Sequence, residues 1–134
     1  MDRTRILVVD DEVALTNLLE KYLQRMGFEV ESMSNPRLAL ERYQTTDKPF
    51  QLVLADMTMP GLSGEELLRT ILASDPDVRA ILCSGYAGAG APLQGEYPGR
   101  VHFLPKPFVP RMLAEAIGKL LDLGGDQPAS SNAS

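Results

Sequence analysis

Ile6-Leu7-Val8-Val9-Asp10-Asp11 is the stretch that decides how this chain folds. Four apolar residues in a row, with no polar alternation, describe a strand buried on both faces, as strands inside a parallel sheet are. Two carboxylates follow at once. The pattern returns twice: residues 52–55 (Leu-Val-Leu-Ala) run into Asp56, and residues 101–104 (Val-His-Phe-Leu) run through Pro105 into Lys106-Pro107. In one parallel sheet these three runs share a carboxyl edge, so three carboxylates and one ammonium meet in a single crevice. Such a crevice suits a divalent cation and a phosphoryl group.

Working outward, Leu15, Leu18, Leu19, Tyr22, Leu23 and Met26 recur at helical spacing, and Gly27 supplies the stop. Residues 29–33 read as a second strand. Ser34-Asn35-Pro36 reads as a cap followed by proline at the first helical position, leading into a stripe of Pro36, Ala39, Leu40 and Tyr43. A polar turn precedes the strand at 52–55, and Met59-Pro60-Gly61 breaks any continuation. Residues 65–74 are helical with Leu67, Leu68, Ile71 and Leu72 inward, and residues 78–83 form a fourth strand ending at Ser84-Gly85. Leu113, Ala116, Ile117, Leu120 and Leu121 mark a last amphipathic helix, closed by Gly124-Gly125. Short strands alternating with helices predict an α/β fold: a parallel sheet with right-handed crossovers and helices on both faces. The segment 87–100 should hold the fourth helix, yet it carries Gly88, Gly90, Pro92, Gly95, Pro98 and Gly99. Glycine costs about 1 kcal/mol and proline about 3 kcal/mol inside a helix, so a short, irregular or disordered element is expected there.

The bulk numbers narrow the function classes. A chain of 134 residues is one ordinary domain. A domain over residues 1–123 and a flexible Gly/Ser/Ala/Asn-rich tail over 124–134 are expected. The hydrophobic fraction of 44% and charged fraction of 23% fit a globular protein. No apolar run approaches the roughly 20 residues of a membrane span, and Met1–Arg5 lacks the apolar core of a signal peptide, which makes a cytoplasmic location the expectation. The single Cys83 cannot build an internal disulfide framework. A net charge of −5 argues against direct nucleic-acid binding.

Three convergent carboxylates repel one another and call for a compensating cation. Mg²⁺, a hard ion that takes oxygen ligands and keeps several waters, is the natural candidate. An ionised aspartate is a competent nucleophile toward phosphorus, and an aspartyl phosphate is a known kind of covalent intermediate. Lys106 and the metal would neutralise charge on the transferred oxygens. Ser84, ending the fourth strand, offers a hydroxyl donor. Each mark alone has a plainer reading, as a turn, a cap or a surface lysine. Their joint occurrence at four strand ends is what makes the pattern specific.

The stretches Ile6–Glu12, Leu54-Ala55-Asp56-Met57-Thr58-Met59-Pro60-Gly61, Leu82-Cys83-Ser84-Gly85-Tyr86 and Phe103-Leu104-Pro105-Lys106-Pro107-Phe108 resemble the receiver domain of bacterial two-component response regulators. The similarity extends over about residues 5–121. It implies a flavodoxin-like (βα)₅ doubly wound fold with strand order 2-1-3-4-5. It further implies that Asp56 accepts a phosphoryl group and is also a Mg²⁺ ligand, and that Asp11 ligates Mg²⁺ directly. Asp10 would help through water, and the Thr58 backbone carbonyl would be a further ligand. Lys106 would pair with the phosphoryl group, and Ser84 and Phe103 would stand at the family's switch positions. The implied donor is a phosphohistidine on a sensor histidine kinase or phosphotransfer protein, with an output domain or partner protein downstream. The Ser-Gly-Tyr and Leu-Pro-Lys-Pro-Phe wording is similar to receivers attached to hybrid sensor kinases.

Departures from the family pattern carry expectations of their own. Phe103 has no hydroxyl, so its rotation would bury apolar area without a new hydrogen bond. Tyr86 is bulky enough to screen the phosphoryl group from water. The Gly/Pro-rich stretch replaces a helix many family members use for dimerisation, so a monomer or weak dimer is expected. The chain is not expected to be an enzyme acting on outside substrates. Aspartyl-nucleophile phosphatases place a second aspartate two residues after the nucleophile, and here that residue is Thr58. A receiver-like interaction module that never becomes phosphorylated is the other alternative. His102, the only histidine, and Cys83 both lie in strands and read as structural.

Overall fold

A computed structural model describes residues 3–86 and 88–121. The order is β1 (Arg5–Val9), α1 (Val13–Arg25), β2 (Glu29–Met33), α2 (Pro36–Thr45), β3 (Leu52–Asp56), α3 (Gly64–Ser74), β4 (Arg79–Ser84), α4 (Ala91–Glu96), β5 (Val101–Pro105) and α5 (Pro110–Leu121). The five strands form one parallel sheet in the order β2-β1-β3-β4-β5. The expected tail and the closing Gly124-Gly125 lie outside the described residues. Among the described residues, no helix is long and apolar enough to cross a membrane.

The sheet separates two apolar layers because successive strand residues point to opposite faces. Leu7, Val9, Val53, Ala55 and Leu82 meet α2, α3 and α4 on one face. Ile6, Val8, Leu54, Ile81 and Leu104 meet α1 and α5 on the other. All five residues of β1 and of β3 are buried, as an unalternating run requires. Each helix runs back across the sheet, so α5 starts just past the carboxyl edge and ends toward the opposite one.

Local chemistry sets the helix ends. The Asn35 carboxamide oxygen accepts from Arg37 N at 2.9 Å and Leu38 N at 3.2 Å, with Pro36 in the first turn. Ser63 and Glu66 form a capping box on α3, which moves its start one residue ahead of the expected Glu65. In α1, Leu19 and Leu23 are buried, but Leu18 and Met26 are 55% and 44% exposed. The apolar spacing thus overstated the inward stripe: Leu18 sits about 100° around the helix from Leu19, and Met26 is the cap beyond the last turn. Strand β4 is shifted one residue later than expected, which brings Ser84 into the sheet.

The Gly/Pro-rich segment forms a single short helix, as its composition demanded, and it is anchored. Leu93 is fully buried, Gln94 Nε2 donates to Val101 O at 3.5 Å, and Glu96 pairs with Arg69 of α3 at 2.8 Å.

Candidate functional site

Parallel pairing carries the three sequence marks to one edge. Asp10 follows β1, Asp56 ends β3, and Lys106 follows β5. Two main-chain bonds continue the sheet past the strand ends and fix this edge: Met57 N donates to Cys83 O at 2.7 Å, and Lys106 N donates to Ser84 O at 2.9 Å. Lys106 Nζ stands 2.8 Å from Asp56 Oδ1, 3.1 Å from Asp10 Oδ2 and 3.7 Å from Glu12 Oε1. Carboxylate oxygens of Asp10, Asp11 and Asp56 lie within 4.8 Å of one another. Asp10 and Asp56 are buried, whereas Asp11 opens to solvent.

One ammonium faces more negative charge than it can balance. Burial pushes the Asp10 carboxyl above its ordinary range, although Glu12 N donates to Asp10 Oδ1 at 2.9 Å and Lys106 pulls the other way. Burial alone would lower the Lys106 pKa, but the bonds to Asp56 and Asp10 outweigh it and hold the amine protonated above the usual lysine range. The donor set fits a small, hard divalent cation: all-oxygen, clustered, rich in negative charge and open on the Asp11 side.

The remaining expected residues lie on β4, β5 and the loops that leave the strands. Thr58 lies two residues beyond Asp56 in the β3–α3 loop and is exposed. Ser84 is buried, and its Oγ accepts from Tyr86 N at 3.0 Å. Tyr86 is 71% exposed. Phe103 is half-buried on β5, on the face of the sheet that carries α4. Cys83 sits in the core beside Asp56, and burial pushes its thiol up to about 12, which keeps it protonated. A groove of about 350 Å³, lined by Glu12, Leu15, Lys106, Pro107 and Phe108, opens next to the carboxylates.

Two features escaped the sequence. Gly64, the first residue of α3, lies so close to the main chain of Asp56 that an added Cβ would stand 2.1 Å from its carbonyl oxygen. Its amide also donates to Met57 O at 3.0 Å. The Ser63–Glu66 spacing was the available signal for a helix start there. The Arg37 guanidinium donates to Gly61 O at 3.3 Å and ties α2 to the same loop.

The chain matches known proteins over nearly its whole length. The family model "Response regulator receiver domain" matches residues 6–118. The response regulator receiver protein CpdR of Brucella abortus is 34% identical over 117 residues, covering 87% of this chain and 96% of that protein. The sensor kinase CckA of the same organism is 31% identical over 117 residues, covering 87% of this chain and 12% of that longer protein. The solved structure of the response regulator TrrA from Thermotoga maritima, in complex with Mg(2+)-BeF, superposes with a TM-score of 0.75 at 31% identity, covering 87% of this chain and 98% of that one. Five parallel strands in the order 2-1-3-4-5, an acidic crevice at their carboxyl edge and these likenesses lead to one assignment: the chain belongs to the response regulator receiver domain family, whose members are signalling modules of two-component systems.

Proposed function

We propose that this protein is a phosphorylation-dependent switch in which Asp56 is the acceptor. The observation that supports this best is the Asp56 carboxylate held 2.8 Å from Lys106 Nζ inside a cluster of three carboxylates. An oxygen of Asp56 attacks the phosphorus of a phosphohistidine on a sensor histidine kinase or phosphotransfer protein. The new O–P bond forms as the P–N bond breaks, and the imidazole nitrogen leaves with the electron pair and takes a proton from solvent. Asp10, Asp11, Asp56 and the Thr58 carbonyl would hold Mg²⁺. When bound, the ion supplies positive charge against the transferred oxygens.

Lys106, already beside Asp56, turns its ammonium to a phosphoryl oxygen. The Ser84 hydroxyl can keep accepting from Tyr86 N while donating its own hydrogen to another. Phe103 then moves inward and changes the β4–β5 surface. Only a few kcal/mol need separate the two states. The apolar groove between the start of α1 and the β5–α5 loop gives the donor protein a place to seat beside Asp56.

Acetyl phosphate with Mg²⁺ tests the reading. Intact-protein mass spectrometry should find one added phosphate on the wild type and none on Asp56→Asn. Equal uptake by the variant would remove Asp56 from the role. Steady phosphate release from added monoesters would favour a phosphatase instead, and no response to beryllofluoride would favour an inert interaction module.

A further inference from the structure

The segment 58–62, between β3 and α3, has little to hold it in place. Among the described residues its main chain makes one hydrogen bond, in which the Arg37 guanidinium donates to Gly61 O at 3.3 Å. The chain is bonded on either side of the segment: Met57 N donates to Cys83 O at 2.7 Å, and Gly64 N donates to Met57 O at 3.0 Å. Within it, the Met59 side chain is buried in the core, and Leu62 packs partly against the same cluster.

The local sequence lets one bond restrain several residues. Pro60 fixes its own φ and turns Met59, before it, away from helical backbone. Gly61 has a φ of +89°, which glycine adopts without strain, so it is the joint at which the segment turns most freely. A donor on the Gly61 carbonyl restrains that joint, and the stiff Met59-Pro60 pair carries the restraint back to Thr58. Arg37 has a firm base for the task. It stands in the first turn of α2, its amide bonded to the Asn35 carboxamide oxygen at 2.9 Å, and Pro36 and Ala39 bury that end of the helix.

We propose that Arg37 is a positioning residue for the metal site, holding from α2 the loop that supplies the Thr58 carbonyl to Mg²⁺. The inference rests on the magnesium reading above and adds a residue outside the ligand set. It also runs against simple electrostatics. A cation near an acidic crevice opposes a second cation, so removing the Arg37 charge alone would tighten magnesium binding or leave it unchanged. Removing a positioning bond weakens it.

The experiment uses the full chain and heteronuclear NMR, with magnesium chloride as the probe and no phosphoryl donor. The Met57 and Thr58 amides report binding. Heteronuclear NOE values of the Gly61 and Leu62 amides report the order of the loop before metal is added. In the wild type, Mg²⁺ should shift the first pair, and the second pair should match the amides of the flanking elements. Arg37→Met keeps the aliphatic stem and loses the guanidinium. It should bind Mg²⁺ about threefold to tenfold more weakly, less than the roughly 10–100-fold loss typical of a partner bonded directly to a ligand, and its Gly61 and Leu62 NOE values should fall. If the wild-type amides ignore Mg²⁺, the magnesium reading itself fails. If the wild type responds but Arg37→Met binds as tightly or more tightly, or keeps wild-type NOE values, the positioning role is overturned. Low NOE values at Gly61 and Leu62 in the wild type would overturn it equally. Should Arg37→Met fail to fold, Arg37→Gln, whose side chain is too short for the bond, is judged by the same two measurements.

Discussion

At the scale of single residues, the crevice was legible where charge followed an apolar run. Asp10, Asp56 and Lys106 end strands, and a parallel sheet leaves such residues one place to go. Gly64 was invisible for the opposite reason. Its role is a close approach to the main chain of Asp56, eight positions away in sequence, and a missing side chain leaves no chemical signature. Filling that approach has a clear cost. An alanine Cβ 2.1 Å from a carbonyl oxygen forces either α3 or Asp56 to move. Overpacking of this kind destabilises by about 1–3 kcal/mol. Gly64→Ala should therefore lower the urea midpoint and also slow phosphate uptake from acetyl phosphate, because the displaced group is the acceptor itself. A wild-type midpoint together with wild-type uptake would show that the contact does not constrain Asp56.

At the scale of elements, the helix and strand order was readable from periodicity, and misreadings fell where a charge or a cap altered a boundary. Strand β1 begins at Arg5, not Ile6, because Arg5 is buried among partners supplied by other elements. Its guanidinium pairs with Glu29 at 2.8 Å and Glu31 at 2.7 Å on β2, donates to Thr46 and to the Lys48 carbonyl, and lies 4.2 Å from the Phe50 ring centre. A charge at a strand start reads as a solvated flank from sequence, since none of those partners is local. Glu31 keeps Arg42 as a second partner, and both glutamates reach water. Arg5→Leu should accordingly cost only about 1–2 kcal/mol, more from the lost hydrogen bonds to Thr46 and the Lys48 carbonyl than from the water-exposed ion pairs. Denaturant unfolding would check this, and a change under about 0.5 kcal/mol would mean the network carries no net stability. The short α4 was foreseen from its glycines and prolines. Its order was not, because the anchors are a core leucine, a glutamine to β5 and an ion pair to α3.

At the scale of the whole molecule, alternation of strand and helix specified a parallel sheet. The order 2-1-3-4-5 came only with the family resemblance, since alternation alone does not say which strands are neighbours. Global stability should carry one histidine signature. Burial first, and Lys119 second, hold His102 below the ordinary value of 6.5. The unfolded chain then binds that proton more readily than the folded one. Stability is complete above about pH 6.5 and declines as pH falls from there toward the folded value. Between about pH 7.5 and 5.5, in EDTA, the wild type should lose more stability than His102→Gln. Equal losses would show that the imidazole does not contribute. The return path of α5 has an architectural corollary. With β1 setting out from the rim opposite Asp56 and α5 heading back toward it, the two ends of the described fold lie away from the carboxylates and leave the chemical mouth free for visitors.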